Sequence, residues 1–229
     1  MNRRASLPGV DALFGTSDPG LKPPAAANAE TAPEPPSRPL LTTDLPESDG
    51  VRGARERLAG QVEAPDAAVA ALLRWAAVTC GARTAVEVGA AGGISGLTLL
   101  EALPERGVLT SIEPDGHAHG LAMAAYRDVG AGSRVRSING EPATVLPRLT
   151  DGGYDLLLWQ VPVDDPHAVL GHARRLLRPG GILLARGLVA DEVGPAPAQR
   201  FLADLVDDIR FRATVLPVDG GVALATRQA

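Results

Sequence analysis

The chain has 229 residues, 45% of them hydrophobic and only 3% aromatic, with a formal net charge of −5 and one cysteine. That is enough apolar material for one good-sized domain plus an appendage, with a core built mainly from Ala, Val and Leu. The acidic balance argues against a nucleic-acid surface, no apolar run approaches the ~18 residues of a membrane span, and Cys80 alone cannot form an internal disulfide, which fits a reducing, cytoplasmic setting.

Arg3 and Arg4 are not followed by an apolar stretch, so no secretory leader is expected. Residues 1–48 carry nine of the twenty prolines amid repeated Ala, Glu and Ser, a composition that cannot bury enough surface to offset chain ordering. They are expected to form a disordered Pro/Ala-rich tail. Within it Leu7, Val10, Leu13 and Phe14 read as an isolated apolar patch before they read as a docking motif. An ordered domain is expected over 49–229. It opens with VRGARERLAGQVE, rich in helix formers. After Pro65 at a helix start comes DAAVAALLRWAAVTCG, whose Val69, Leu72, Leu73 and Ala76 share a face, and Gly81 ends that helix. Both helices precede the first strand and are expected to cap the sheet or cover its C-terminal edge.

The domain is organised around TAVEVGAAGGISGLTLL, residues 84–100. Ala85, Val86 and Val88 form the unalternating apolar run of a parallel strand covered on both faces. Gly89, Gly92 and Gly93 then permit a sharp turn and close approach of a ligand, and Ile94, Leu97, Leu100 and Leu103 recur at helical spacing. A ligand on that turn meets the free N–H groups of a helix N-terminus. The turn is not a P-loop, which needs Lys after the glycines; the sole lysine is Lys22. Nor is it the Gly-x-Gly-x-x-Gly of a dinucleotide site, and Glu87 just before it would repel a pyrophosphate while suiting a cationic amino group. A helix–strand crossing without a ligand is the plainer alternative.

GVLTSIEP is the second strand. It ends in Glu113, 24 positions after Gly89, close to the ~20 expected of a carboxylate that binds ribose hydroxyls. GHAHGLAMAAYRDVG follows as a helix with Leu121, Ala124 and Ala125 toward the core; His117 and His119, two apart, do not share a face and make no metal pair. SRVRSING is a third strand, and Gly140, Glu141 and Pro142 open the short helix ATVLPRL. YDLLLWQVP is the fourth strand, apolar on both faces and hence central. Helix DPHAVLGHARRLL is stopped by Arg178-Pro179-Gly180-Gly181, and GILLARG is the fifth strand. PAPAQRFLADLVDDIR is a helix with Phe201, Leu202, Leu205, Val206 and Ile209 as its core stripe, and FRATVLPVDGGVALATR reads as a hairpin around Asp219-Gly220. The fold class is therefore α/β: a Rossmann-like, doubly wound, mainly parallel seven-stranded sheet with a C-terminal antiparallel hairpin and helices on both faces. Ligands are expected at the C-terminal strand edge, beside the first strand.

The order and spacing of VEVGAAGGISGLTLL, LTSIEPD, NGEPATVLPRL, YDLLLWQ, LLRPGGILL and LPVDGGVALATR resemble the class I S-adenosylmethionine-dependent methyltransferases. Within them the match is to the small catechol and caffeoyl-CoA type O-methyltransferases, over residues 50–229. The resemblance implies S-adenosylmethionine as cofactor and methyl transfer to a hydroxyl of a small acceptor. It implies that Glu87 holds the methionine amino group directly or through water, that Gly89 and Gly93 form the turn beneath methionine and ribose, and that Ser95 bonds the carboxylate. Glu113 would accept both ribose hydroxyls, and Gly140, Glu141 and Pro142 would flank the adenine. A homodimer through the N-terminal helices and the sheet edge, with Leu72 and Trp75 in contact, is a further implication; no nucleic-acid or membrane partner is expected.

The catalytic half departs from that pattern. Where the family's fourth strand ends in Asp-Ala-Asp-Lys, which binds a divalent cation and assists deprotonation, this chain has Gln160, Val161, Pro162 and Val163. Where the fifth strand supplies Asp-Asn, it has Arg186 and Gly187. Hard cations want several oxygen ligands and a guanidinium opposes them, so no metal is expected. A base for the acceptor hydroxyl would come from Asp164, Asp165, His167 or Asp191. His167 comes first because imidazole titrates near neutrality, and Asp165 before Pro166 also reads as a helix cap. Arg186 is the candidate for orienting an acidic acceptor or stabilising a phenolate; Trp159 reads as core before pocket wall. Keeping the cofactor half while losing the metal half also fits a catalytically degenerate S-adenosylmethionine-binding protein that acts through partners. An NAD-type oxidoreductase is disfavoured by the missing third spaced glycine and by Glu87.

Overall fold

The computed structural model describes residues 46–161, 165–187 and 195–229. The expected tail up to residue 45, with its Leu7–Phe14 patch, lies outside the described residues, as do Asp164 and Asp191. The elements run α1 (Asp49–Arg57), α2 (Ala67–Thr79), β1 (Thr84–Val88), α3 (Ile94–Ala102), β2 (Val108–Glu113), α4 (Gly116–Asp128), β3 (Val135–Asn139), α5 (Pro142–Val145), β4 (Tyr154–Trp159), α6 (Pro166–Leu176), β5 (Leu177–Arg186), α7 (Pro195–Asp207), β6 (Phe211–Leu216) and β7 (Val222–Arg227). Four helices start where a short polar side chain precedes them: Ser48, Asp66, Asp115 and Asp165 each accept a hydrogen bond from the amide three residues on. Such caps satisfy donors that have no partner inside the helix.

The seven strands lie in the order β3-β2-β1-β4-β5-β7-β6. β1 to β5 run parallel, and β7 is antiparallel to both β5 and β6. Strand order reverses between β1 and β4, so a crevice opens beyond their C-terminal ends.

Side-chain alternation along the strands divides the interior into two layers. Ala85, Leu109, Leu156, Leu158 and Leu184 pack with α1 to α4, through Val51, Val69, Leu73, Ile94 and Tyr126. Val86, Val88, Leu157, Trp159 and Leu183 pack with α5 to α7, through Leu146, Val169, Leu170, Phe201 and Leu205. Glu87, between Val86 and Val88, is thereby sent into the first layer.

Two local expectations are corrected. Val206 and Ile209 are 66% and 84% exposed. The buried stripe of α7 instead runs through Ala198, Phe201 and Leu205, and the chain leaves the helix at Asp208, held by Arg174 and Arg210. Arg178-Pro179-Gly180-Gly181 does not separate helix from strand, because β5 begins at Leu177 and the segment forms its irregular start opposite Tyr154 and Leu156. The hairpin expected around Asp219-Gly220 is present, its turn spanning 217–221 with the Gly221 amide closing onto Val218 O at 2.8 Å.

Candidate active site

β1 ends at Val88, and the chain turns at once. Gly89 and Gly93 have φ of 88° and 91°. A Cβ on Gly89 would lie 2.9 Å from Val161 Cγ1, and one on Gly93 3.0 Å from Ala125 Cβ. The left-handed backbone and the tight walls both require glycine there. Two cavities share Val161 as a wall, and the smaller adjoins this turn. One, of about 310 Å³, is lined by Gln61, Val62, Glu63, Gly89, Glu113 and Gln160 among others. The other, of about 410 Å³, is lined by Glu141, Pro142, Leu146, Trp159, Asp165 and His172 among others. It is the link between α1 and α2, not the helices themselves, that covers the crevice.

Glu113 sits at the end of β2 and is 7% exposed. Its Oε2 accepts from the Ala90 amide at 2.7 Å and its Oε1 from the Asp115 amide at 3.0 Å. The backbone therefore fixes the carboxylate in place while its remaining lone pairs face the cavity, free to accept from a diol. The Gly140 amide donates to Glu113 O at 3.1 Å, which sets Glu141 and Pro142 against the larger cavity.

Glu87 and Ser95 lie behind the cleft wall. Glu87 is fully buried; its Oε1 accepts from the Tyr126 hydroxyl and its Oε2 from Ser95, both at 2.8 Å. Burial pushes its carboxyl up to about 7, against the opposing bonds from Ser111, Ser95 and Tyr126. Burial and Glu87 likewise raise the Tyr126 phenol well above its ordinary value. Ser95 Oγ in turn accepts from Gln160 Nε2 at 2.9 Å, and it is Gln160 that lines the cavity.

Arg186 is committed elsewhere than the cleft. Its side chain is 4% exposed, Nη2 lies 2.7 Å from Asp219 Oδ2, Nε donates to the same oxygen at 2.9 Å, and Nη1 donates to Glu63 O at 3.3 Å. The guanidinium ties the end of β5 to the hairpin turn and to the α1–α2 link, and it lines neither cavity. His167 is 82% exposed with Nδ1 3.3 Å from Asp204 of α7. The stripe of α6 that faces the larger cavity is Asp165, Ala168, Val169 and His172, spaced i, i+3, i+4 and i+7, and His167 falls off it. Burial, with Arg175 nearby, lowers the His172 pKa, which keeps its imidazole neutral. Asp165 caps α6 through the Ala168 amide at 3.2 Å. Trp159 does both of the things weighed for it: it is 6% exposed, packs in the second layer and also walls the larger cavity, with its indole N–H donated to Val161 O at 2.9 Å.

The Methyltransferase domain family matches residues 86–185. A Mycobacteroides abscessus protein whose name places it among the O-methyltransferases is 39% identical over 198 residues, spanning 80% of this chain and 90% of its own. The chain belongs to the O-methyltransferase family. A Mycolicibacterium vanbaalenii protein named in the same way is 39% identical over 77% of this chain and 83% of its own. Among solved structures, a Corynebacterium glutamicum protein superposes with a TM-score of 0.73 at 28% identity, covering 80% of this chain and 91% of its own. TomG, an O-methyltransferase of Streptomyces achromogenes solved with S-adenosylmethionine, gives 0.69 at 24% identity over 83% and 93%, a likeness of fold alone.

Four residues of this O-methyltransferase site escape sequence reading. Gln160 was visible only as a departure from the family's metal-binding residue. Tyr126 stands 39 positions from Glu87 in a helix of ordinary pattern. Val62 carries no motif. His172 could have been found by laying the helical period over α6 from Asp165.

Proposed function

We propose that this O-methyltransferase takes its methyl group from S-adenosylmethionine, delivers it to a hydroxyl of a small acceptor, and does so without a divalent cation. The observation that carries the reading is Glu113, a carboxylate pinned by two backbone amides, one of them in the glycine turn, and lining the same cavity as that turn. The cradle at Gly89, which a Cβ would fill, suits the ribose and methionine, and Pro142, Leu146 and Trp159 offer apolar walls for the adenine. TomG, with its cofactor bound in the same fold, supports the choice of ligand.

When bound, the cofactor supplies an electrophilic methyl on a sulfonium. This chain's residues then act by placement. Glu113 accepts the ribose hydroxyls, and Gln61, Val62 and Glu63 shield the open side from water. Orientation of this kind supplies effective molarities on the order of 10⁵ M or more in well-arranged cases. The residues do not fit a hard cation. The Gln160 amide nitrogen is used by Gly89 and Ser95, a buried guanidinium closes the end of β5, and among the described residues no group of three His, Cys, Asp or Glu gathers. Trp75, 55% exposed on α2, and Leu72, partly buried one turn before it, are the proposed contacts of a homodimer. The protein is proposed to work in the cytoplasm, as its lone cysteine suggests.

Calorimetric titration with S-adenosylmethionine, in EDTA and again with magnesium, tests the reading. The expected result is binding that neither additive changes. No binding, or binding that needs magnesium, would overturn it. Binding without release of S-adenosylhomocysteine over a panel of phenols and alcohols would favour the degenerate, partner-directed reading.

A further inference from the structure

The cavity of Gly89 and Glu113 has the link between α1 and α2 as one wall, through Gln61, Val62 and Glu63. The ends of this link, residues 58–66, are tied down: the Leu58 amide donates to Ala54 O at 3.0 Å, and Arg55 Nη1 to Pro65 O at 2.7 Å. Its middle rests on the glycine turn by an apolar foot, since a Cβ on Gly92 would stand 2.5 Å from Leu58 Cδ1 and 3.3 Å from both Val62 methyls. Among the described residues, the one hydrogen bond that reaches residues 62–64 comes from Arg186, whose Nη1 donates to Glu63 O at 3.3 Å. Arg186 cannot follow the link outward. Its side chain is 4% exposed and holds Asp219 Oδ2 by Nη2 at 2.7 Å and by Nε at 2.9 Å, two charge-assisted bonds shorter than the single one to Glu63. Leaving Asp219 would strand a buried charge, so the bond to Glu63 is the one that opens. Asp219 stands at φ 46°, a left-handed backbone uncommon outside glycine; what an aspartate adds at that position is its carboxylate. Neither Arg186 nor Asp219 lines the cavity.

We propose that Arg186 is a positioning residue that latches the α1–α2 link over the cofactor, with Asp219 as its anchor, so that the C-terminal hairpin sets how long the cofactor stays. The proposal rests on S-adenosylmethionine being the ligand of this cleft. A ligand between the glycine turn and the link touches the closed link and loses those contacts when the link lifts, so it favours the closed state. The coupling is reciprocal: the latch retains the ligand, and the ligand steadies the latch and the hairpin turn behind it.

The test measures dissociation of S-adenosylhomocysteine by stopped-flow displacement, and amide hydrogen exchange, in wild type, Arg186→Lys, Asp219→Asn and Asp208→Asn. Lysine keeps a charge for Asp219 but lacks the planar fork that serves partners on two sides. Asparagine tolerates the left-handed turn and removes only the charge. Asp208→Asn makes the same change in the buried pair with Arg174, away from the link, and serves as the control. Dissociation should quicken roughly tenfold in Arg186→Lys, as loss of a hydrogen bond from a charged group gives, and at least about threefold in Asp219→Asn. Association should change less than about twofold in either, and Asp208→Asn should match wild type within about twofold in both rates. In wild type the ligand should slow exchange at residues 61–64 and also at 218–221, a turn it does not touch; in Arg186→Lys the protection at 218–221 should vanish. Should Arg186→Lys fail to fold, Asp219→Asn carries the same comparisons. Unchanged dissociation in the two latch variants would overturn the proposal, as would equal quickening in Asp208→Asn or a hairpin turn indifferent to ligand. Wild type failing to bind S-adenosylhomocysteine would sink the cofactor reading itself. Exchange at 61–64 in the unliganded proteins would then decide the latch alone, faster exchange in Arg186→Lys supporting it and equal exchange refuting it.

Discussion

Gly96 lies in the first turn of α3, and replacing it with alanine tests the packing beneath the glycine turn. A Cβ there would stand 2.1 Å from the Tyr126 hydroxyl, 2.8 Å from Glu87 Oε1 and 2.9 Å from Leu109 Cδ2. None of these can retreat to solvent, because Tyr126, Glu87 and Leu109 are 1%, 0% and 0% exposed. Overpacking of this kind costs about 1–3 kcal/mol, and parting the Tyr126–Glu87 bond in a buried setting costs about 1–3 more. Against this, alanine improves helix propensity by up to ~1 kcal/mol. The expected net loss is roughly 2–4 kcal/mol, a fall in thermal midpoint of roughly 5–15 °C for a domain of this size. Gly120 in α4 is the internal control, since a Cβ there meets nothing within 4 Å, and Gly120→Ala should stabilise by up to ~1 kcal/mol. Urea unfolding and thermal melts of both variants decide the matter. Gly96→Ala within ~0.5 kcal/mol of wild type, or Gly120→Ala falling as far as Gly96→Ala, would refute the reasoning.

Glu87 makes stability depend on pH. Its folded-state pKa of about 7 lies above the ordinary 4.5, so the contribution of its proton is full below about pH 4.5 and lost as pH rises through about 7. Over that window wild type should lose about 3 kcal/mol relative to Glu87→Gln, measured by urea unfolding at several pH values; a constant difference would count against it. Asp219→Ala, which strands the nearly buried Arg186, should cost about 3–5 kcal/mol. Arg186→Ala should cost somewhat less because Asp219 is partly open, and the double variant should cost clearly less than the sum; additive losses would dismiss the pairing. His167→Ala should leave stability within about 0.5 kcal/mol and methyl transfer little changed. His172→Ala should weaken cofactor binding about 5–30-fold by opening the cavity wall, for about 1–2 kcal/mol of lost contact; the opposite ranking in calorimetry and turnover would restore His167 to the site.

Some of this protein is written locally and could be read from the chain. The strand at Thr84–Val88, the glycine turn, Glu113 at the end of the next strand and the succession of seven strands along the chain all follow from patterns carried by a few neighbouring residues. Four helix starts follow as well, because Ser48, Asp66, Asp115 and Asp165 cap their own helices from one residue away. Strand period, glycine conformation and capping are short-range physics, and the sequence contains them whole.

What depended on the tertiary structure is which groups meet. Glu87 looked like a cleft residue because it adjoins the glycines, yet strand alternation turns it under α3, where Tyr126 arrives from another helix. Arg186 looked free to meet an acceptor until Asp219, 33 residues on, came back along the hairpin to neutralise it. His167 and His172 are chemically alike, and although the helical period groups His172 with Asp165, it is the way α6 lies on the sheet that turns this face to the cavity. Composition and periodicity determine which face of an element is apolar, whereas burial of charge, pairing of hydrogen bonds and the aim of a side chain depend on residues distant in sequence, brought together only once the sheet and its two helical layers have closed.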